Sequence, residues 1–148
     1  MPGCVFTARG LSFDPDPFLA TSKLKPYSVW HRGEQWNGKA MKFGGLACDV
    51  SSREDMPGEV EDAIAFLKAN SADLRRLASV PGIEWKSLDF GYDLRIGDGE
   101  FLFYQSEYLP PELLSLCGEF GMGIEMSVYA PHPGEFKVVW PPGKRSSR

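Results

Sequence analysis

Leu88-Asp89-Phe90-Gly91-Tyr92-Asp93-Leu94-Arg95-Ile96 alternates apolar and polar side chains, with Gly91 alone lacking one. A β-strand sends successive side chains to opposite faces, so this stretch reads as a strand with one buried and one wet face. Leu88, Phe90, Tyr92, Leu94 and Ile96 are assigned to a core. Asp89, Asp93 and Arg95 are assigned to water or a partner. Gly91 leaves a shallow notch on the wet face, since glycine inside a strand marks a bulge or a close backbone approach. A neighbouring strand's large side chain and a partner's side chain both suit that notch.

Upstream, Cys4–Arg9 reads as a first strand with Cys4, Phe6 and Ala8 on one face. Asp14-Pro15-Asp16-Pro17 opens a short helix, because Asp14 can cap free amides and proline is tolerated in a first turn. Pro26 is expected to end it. Ser28–Arg32 reads as a short strand before a turn at Gly33. Gln35–Gly45 reads as a loose segment with turn signals at Asn37-Gly38 and Gly44-Gly45. Leu46–Ser51 is a further strand. Asp55-Met56-Pro57 starts the longest helix, with Val60, Ala63, Ile64 and Leu67 at helical spacing. Asn70 or Ser71 caps a second one, with Leu74, Leu77 and Ala78 inward.

Glu84–Ile96 is the long strand, and Gly97-Asp98-Gly99 the turn after it. Phe101–Gln105 is a candidate returning arm. Pro110-Pro111 opens the last helix, whose Leu113, Leu116, Cys117 and Phe120 form one apolar stripe ending at Gly121. Ile124–Tyr129 alternates as a final strand, and Phe136–Trp140 is a candidate edge piece. This order predicts an α+β fold: one domain over 1–140, an antiparallel or mixed sheet with helices packed on one face, and a ferredoxin-like arrangement. Residues 141–148 read as a flexible basic tail.

The net charge of −4 lacks the broad attraction for phosphate backbones that nucleic-acid binders use, so no nucleic-acid partner is expected. Cys4, Cys48 and Cys117 are odd in number and far apart, which fits buried thiols rather than a disulfide framework or a zinc site. Met1–Phe6 does not read as a signal peptide, and no apolar run approaches the ~20 residues of a membrane span. A cytoplasmic protein with no membrane partner is expected.

A catalytic set is hard to assemble. His31 and His132 are the two imidazoles, and neither has a histidine at metal-ligand spacing. Gly121-Met122-Gly123 joins a helix to a strand, the reverse of a dinucleotide-binding loop. Asp89 and Asp93 stand ~13 Å apart along a strand, too far to share a proton. Glu125 joins them only if its strand is adjacent and in register. The acids Glu59, Glu61 and Asp62 suit the start of a helix and need no further role. No cofactor and no metal is expected.

Tyr27, Trp30 and Trp36 gather near Arg32 and Gly33, a mixture that serves as a binding hot spot or as a plug at one end of a core. Leu109-Pro110-Pro111-Glu112-Leu113-Leu114, followed by Gly121-Met122-Gly123-Ile124-Glu125-Met126-Ser127-Val128-Tyr129, resembles the C-terminal motif of an uncharacterised bacterial family, a domain of unknown function. Phe13-Asp14-Pro15 and Trp30-His31-Arg32-Gly33-Glu34 resemble its earlier motifs. The resemblance spans residues 4 to 130 and implies no activity; immunity proteins that neutralise a toxin are an analogy for small acidic chains of this kind.

The expectation is a non-enzymatic protein-binding module that holds a basic partner through Asp89, Asp93, Arg95, Trp30 and Arg32. The alternative is a small-molecule-binding domain with a pocket between sheet and helices lined by Phe90, Tyr92, Phe103 and Tyr104. Self-association as a homodimer is compatible with either.

Overall fold

Alternation along Cys4–Arg9 makes the central strand of the sheet. The computed structural model describes residues 3–94, 96–97, 100–101 and 105–130. Strand β1 (Gly3–Gly10) buries Cys4, Phe6 and Ala8 completely. Helix α1 (Pro15–Leu19) follows, and Asp14 Oδ1 accepts from the Asp16 amide at 3.1 Å as expected of a cap. The helix ends at Leu19, well before Pro26. Strand β2 (Ser28–Trp30) is short.

The segment after β2 is more ordered than its composition indicates. Strands β3 (Gln35–Trp36) and β4 (Lys39–Ala40) pair as a hairpin, with Asn37 at φ 48° and Gly38 at φ 74°. Two positive φ values are what a two-residue hairpin turn with the strands' own twist requires, and Asn-Gly supplies them cheaply.

Strand β5 (Gly44–Ser51) leads to helices α2 (Met56–Ala69) and α3 (Ser71–Ala78). Asp55 caps α2 through the Gly58 amide at 2.8 Å, and Val60, Ala63 and Leu67 are buried. Asn70 occupies the cap position of α3 without a side-chain capping bond; its amide donates back to the Phe66 carbonyl instead. Leu74 and Leu77 are fully buried, but Ala78 is exposed because it is the last residue of α3, where the chain turns away.

Strand β6 (Trp85–Asp93) is the stretch read first. Leu88 and Phe90 are fully buried, and Tyr92 packs against the same core. Strands β7 (Ile96–Gly97) and β8 (Glu100–Phe101) pair antiparallel; Gln105 belongs to no strand. Helix α4 (Pro111–Glu119) buries Leu113 and Cys117, and Phe120 follows at its cap. Lys86 Nζ donates to the Phe120 carbonyl at 2.8 Å, a cation at a helix C-terminus. Strand β9 (Gly123–Tyr129) closes the described chain. Residues 131–148, with the expected edge piece and basic tail, lie outside the described residues.

The fold is α+β. Its five-stranded sheet runs β2-β5-β1-β6-β9, antiparallel except for the parallel β6–β9 pair, so the sheet is mixed. The helices cover one face, α2 lying against β1, β5 and β6 and α4 against α2 and β9. Fully burying a side chain such as Phe6, Leu88 or Phe90 contributes about 2 kcal/mol. The opposite face has no helix upon it among the described residues.

Candidate functional site

Register decides what the open face presents. Val5 of β1 is opposite Asp49 of β5 on one side and Asp89 of β6 on the other, and Asp89 is opposite Glu125 of β9. Asp49, Val5, Asp89 and Glu125 therefore form one row across four strands. The condition attached to Glu125 is met: its strand is adjacent and in register. Two serines brace the carboxylates diagonally. Ser87 Oγ donates to Glu125 Oε2 at 2.9 Å, and Ser127 Oγ donates to Asp89 Oδ2 at 2.9 Å. Trp85 Nε1 donates in turn to Ser87 Oγ at 3.1 Å.

Around Asp89 the face sinks into a hollow of about 780 Å³ whose lining includes Asp49, Glu54, Asp89, Tyr27 and Tyr129. Gly91 pairs with Gly3 across β6 and β1, so two residues without side chains floor it. Asp89 Oδ1 is buried and has no hydrogen-bond partner. Among the described residues no Lys, Arg or His lines the hollow. Among the described residues, Asp49, Glu54, Asp89 and Glu125 make no ion pair. The cations of the helical layer are committed to its own acids: Arg53 to Glu61 and Asp62, Lys68 to Glu112, Arg75 to Glu119 and Arg76 to Asp73.

Directly behind this hollow lies a further acid. Glu59 is fully buried, contrary to its reading as an ordinary acid at a helix start. Its Oε1 accepts from the Gly3 amide at 3.2 Å, and its Oε2 has no partner. Burial pushes its carboxyl up to about 7, against the Gly3 hydrogen bond, with Asp55, Glu107 and Asp89 adding repulsion. Burial and nearby Asp49 likewise raise the Tyr27 phenol.

The other end of the open face is aromatic. Trp30 lies against Gly45 so closely that a Cβ there would collide with the indole. The Arg9 guanidinium sits 5.0 Å from the Phe43 ring centre and 5.2 Å from that of Trp85. A hollow of about 620 Å³ lies here, lined in part by Arg9, Trp30, Trp36, Met41 and Phe43. Trp30 Nε1 is buried without a partner.

The expected partner-binding residues are thus divided. Asp89 belongs to the acidic hollow, whereas Trp30 lines the aromatic one. Asp93 is exposed at the end of β6 and does not line the acidic hollow. Arg32 is exposed in the turn after β2, its Nη1 3.4 Å from the Leu11 carbonyl. Arg95 lies outside the described residues. Of the alternative pocket, Phe90 is fully buried in the core, Tyr92 is partly buried against it, and Phe103 and Tyr104 lie outside the described residues. Asp49 was missed although it alternates outward between Cys48 and Val50; its strand was legible, its neighbours were not.

His31 does have acidic partners, which no spacing rule shows. Its Nε2 is 2.9 Å from Asp16 Oδ1 and its Nδ1 is 3.6 Å from Glu34 Oε2, while Asp14 completes a cluster with Asp16. The Asp16 hydrogen bond raises the His31 pKa. Asp14 is already a helix cap, so these groups have structural employment. The three cysteines are free and buried; burial raises the Cys4 thiol and pushes Cys48 and Cys117 up to about 11, which keeps them protonated. Among the described residues no helix is long and apolar enough to cross a membrane. Comparison with known proteins gives no match to a family model, a curated protein or a solved structure.

Proposed function

We propose that this chain is a non-enzymatic binding module that holds a basic segment of a partner protein against the acidic end of its open sheet face. The supporting observation is the hollow around Asp89, which gathers the carboxylates of Asp49, Glu54 and Asp89 with no cation in its lining among the described residues. Asp49 and Glu54 are exposed in the hollow and free to accept charge-assisted hydrogen bonds from a Lys or Arg, with the Asp89 carboxylate, held by Ser127, adding negative charge behind them. The glycine floor admits a long side chain, and Tyr27 and Tyr129 offer surface to its methylene stem.

The test is titration of a short lysine-rich peptide into the wild-type protein and the Asp49→Asn/Asp89→Asn variant at low ionic strength. The variant should bind on the order of tenfold more weakly, and added salt should erase most of the difference. Equal affinity for both proteins would remove the acidic end from any binding role.

A further inference from the structure

Strand β5 pairs with β1 along its length, from Gly44 opposite Gly10 to Ser51 opposite Cys4. On its outer side, β2 covers only Gly45–Ala47. Continuing β2 backwards brings the chain to Tyr27, whose amide donates to the Ala47 carbonyl at 3.0 Å, and then to Pro26, which has no N–H for the ladder. The chain leaves the edge there. Cys48–Ser51 therefore has no strand on its outer side among the described residues. A strand edge left open in this way is a template for an added strand.

The open half-edge and the acidic hollow coincide. Tyr27, Asp49, Val50 and Ser51 belong to the edge and also line the hollow beside Asp89. We propose, resting on the basic-partner reading above, that the partner's segment binds as an extended strand added to the outer edge of β5 at Cys48–Ser51. Strand spacing of ~4.8 Å places its open-face side chains beside Asp49 and Tyr27. A lysine or arginine there meets Asp49 directly, with Glu54 in the same lining. Asp89 lies two strands further in, out of reach of that residue, and receives a second basic side chain from chain that continues over the face. Backbone pairing supplies the affinity and the acids the choice of side chain.

The probe is a capped peptide alternating Lys with Val, made in two further forms, N-methylated either at every Lys or at every Val. In a strand, alternate amides face the same neighbour, so only one of the two patterns blocks pairing with β5. The proposal expects the parent peptide to slow amide hydrogen exchange within Cys48–Ser51. One methylated form should lose about tenfold or more in affinity, the equivalent of two lost backbone hydrogen bonds, while the other binds like the parent. Equal binding by all three forms, weakened alike by Asp49→Asn/Asp89→Asn, would overturn strand addition and leave the acidic face as the binding site. No binding by any form would overturn both readings. Sedimentation of the free protein as a dimer whose dissociation deprotects the same amides would assign the edge to a second copy and overturn the proposal.

Discussion

The two ends of the open sheet face solve the same burial problem in opposite ways. At the aromatic end, Arg9 is stacked between Phe43 and Trp85, and Trp30 fills the space that Gly45 leaves. Its one orphan is a neutral indole N–H. At the acidic end, Asp49, Glu54 and Asp89 surround a glycine floor with no cation in the lining among the described residues, and the orphan is a carboxylate oxygen. One end is filled by the chain's own side chains, and the other is where the proposed function seats a basic partner. The helical layer sharpens the contrast, since Glu61, Asp62, Asp73, Glu112 and Glu119 on its surface are paired with its own Arg and Lys.

The largest effect should come from beneath the acidic end. Glu59 has a folded pKa of about 7 against an ordinary 4.5. Between those values the folded protein holds a proton that the unfolded chain has released. The contribution of Glu59 to stability is therefore fully present below pH 4.5 and is lost as pH rises through 7, by about 3 kcal/mol in all. Urea unfolding at a series of pH values should show this decline in the wild type and a flatter profile in Glu59→Gln. An unchanged slope in the variant would show that Glu59 is not the group responsible.

Nearly as large is the expected effect of overfilling the aromatic end. Gly45→Val drives a side chain into the Trp30 indole and should cost about 2–3 kcal/mol, read as a lowered denaturation midpoint. The counterpart at the acidic end, Asp49→Asn, should change stability by less than about 0.5 kcal/mol. If both substitutions destabilise equally, the two ends are not differently finished. Smaller again, Arg9→Ala removes the guanidinium from its two rings and should cost about 1 kcal/mol, with a change in tryptophan emission from Trp85.

The smallest effect belongs to His31, bridged to Asp16 and Glu34 on the surface. Its raised pKa means a contribution present below the unfolded value of 6.5 and lost as pH rises through the folded one. His31→Ala should cost no more than about 0.5 kcal/mol below pH 6.5 and nothing at high pH, since exposed pairs are screened.

Alternation made the two-faced character of β6, the buried side of β1 and the apolar stripe of α4 legible in the sequence. Asp89 was legible as an open-face residue for the same reason. The acidic row was not, because Asp49, Val5, Asp89 and Glu125 meet only through the register of four strands, and register is a tertiary property. Glu59 was misread because an acid in a first helical turn has a sufficient local explanation in the helix dipole. Its burial behind Gly3 depends on where α2 docks. Trp30 and Asp89 were joined into one site because both looked exposed and functional, whereas the sheet assigns them to separate hollows.

On the proposed function a partner occupies the acidic end of this face and not the aromatic end. This placement is tested most directly by recording backbone amide and tryptophan indole resonances while the lysine-bearing peptide is titrated in. Shifts are expected to concentrate at Gly3, Val5, Asp49, Asp89 and Gly91, with the indoles of Trp30 and Trp36 unmoved. Shifts centred on those two indoles, with the Asp49 and Asp89 amides unchanged, would contradict it.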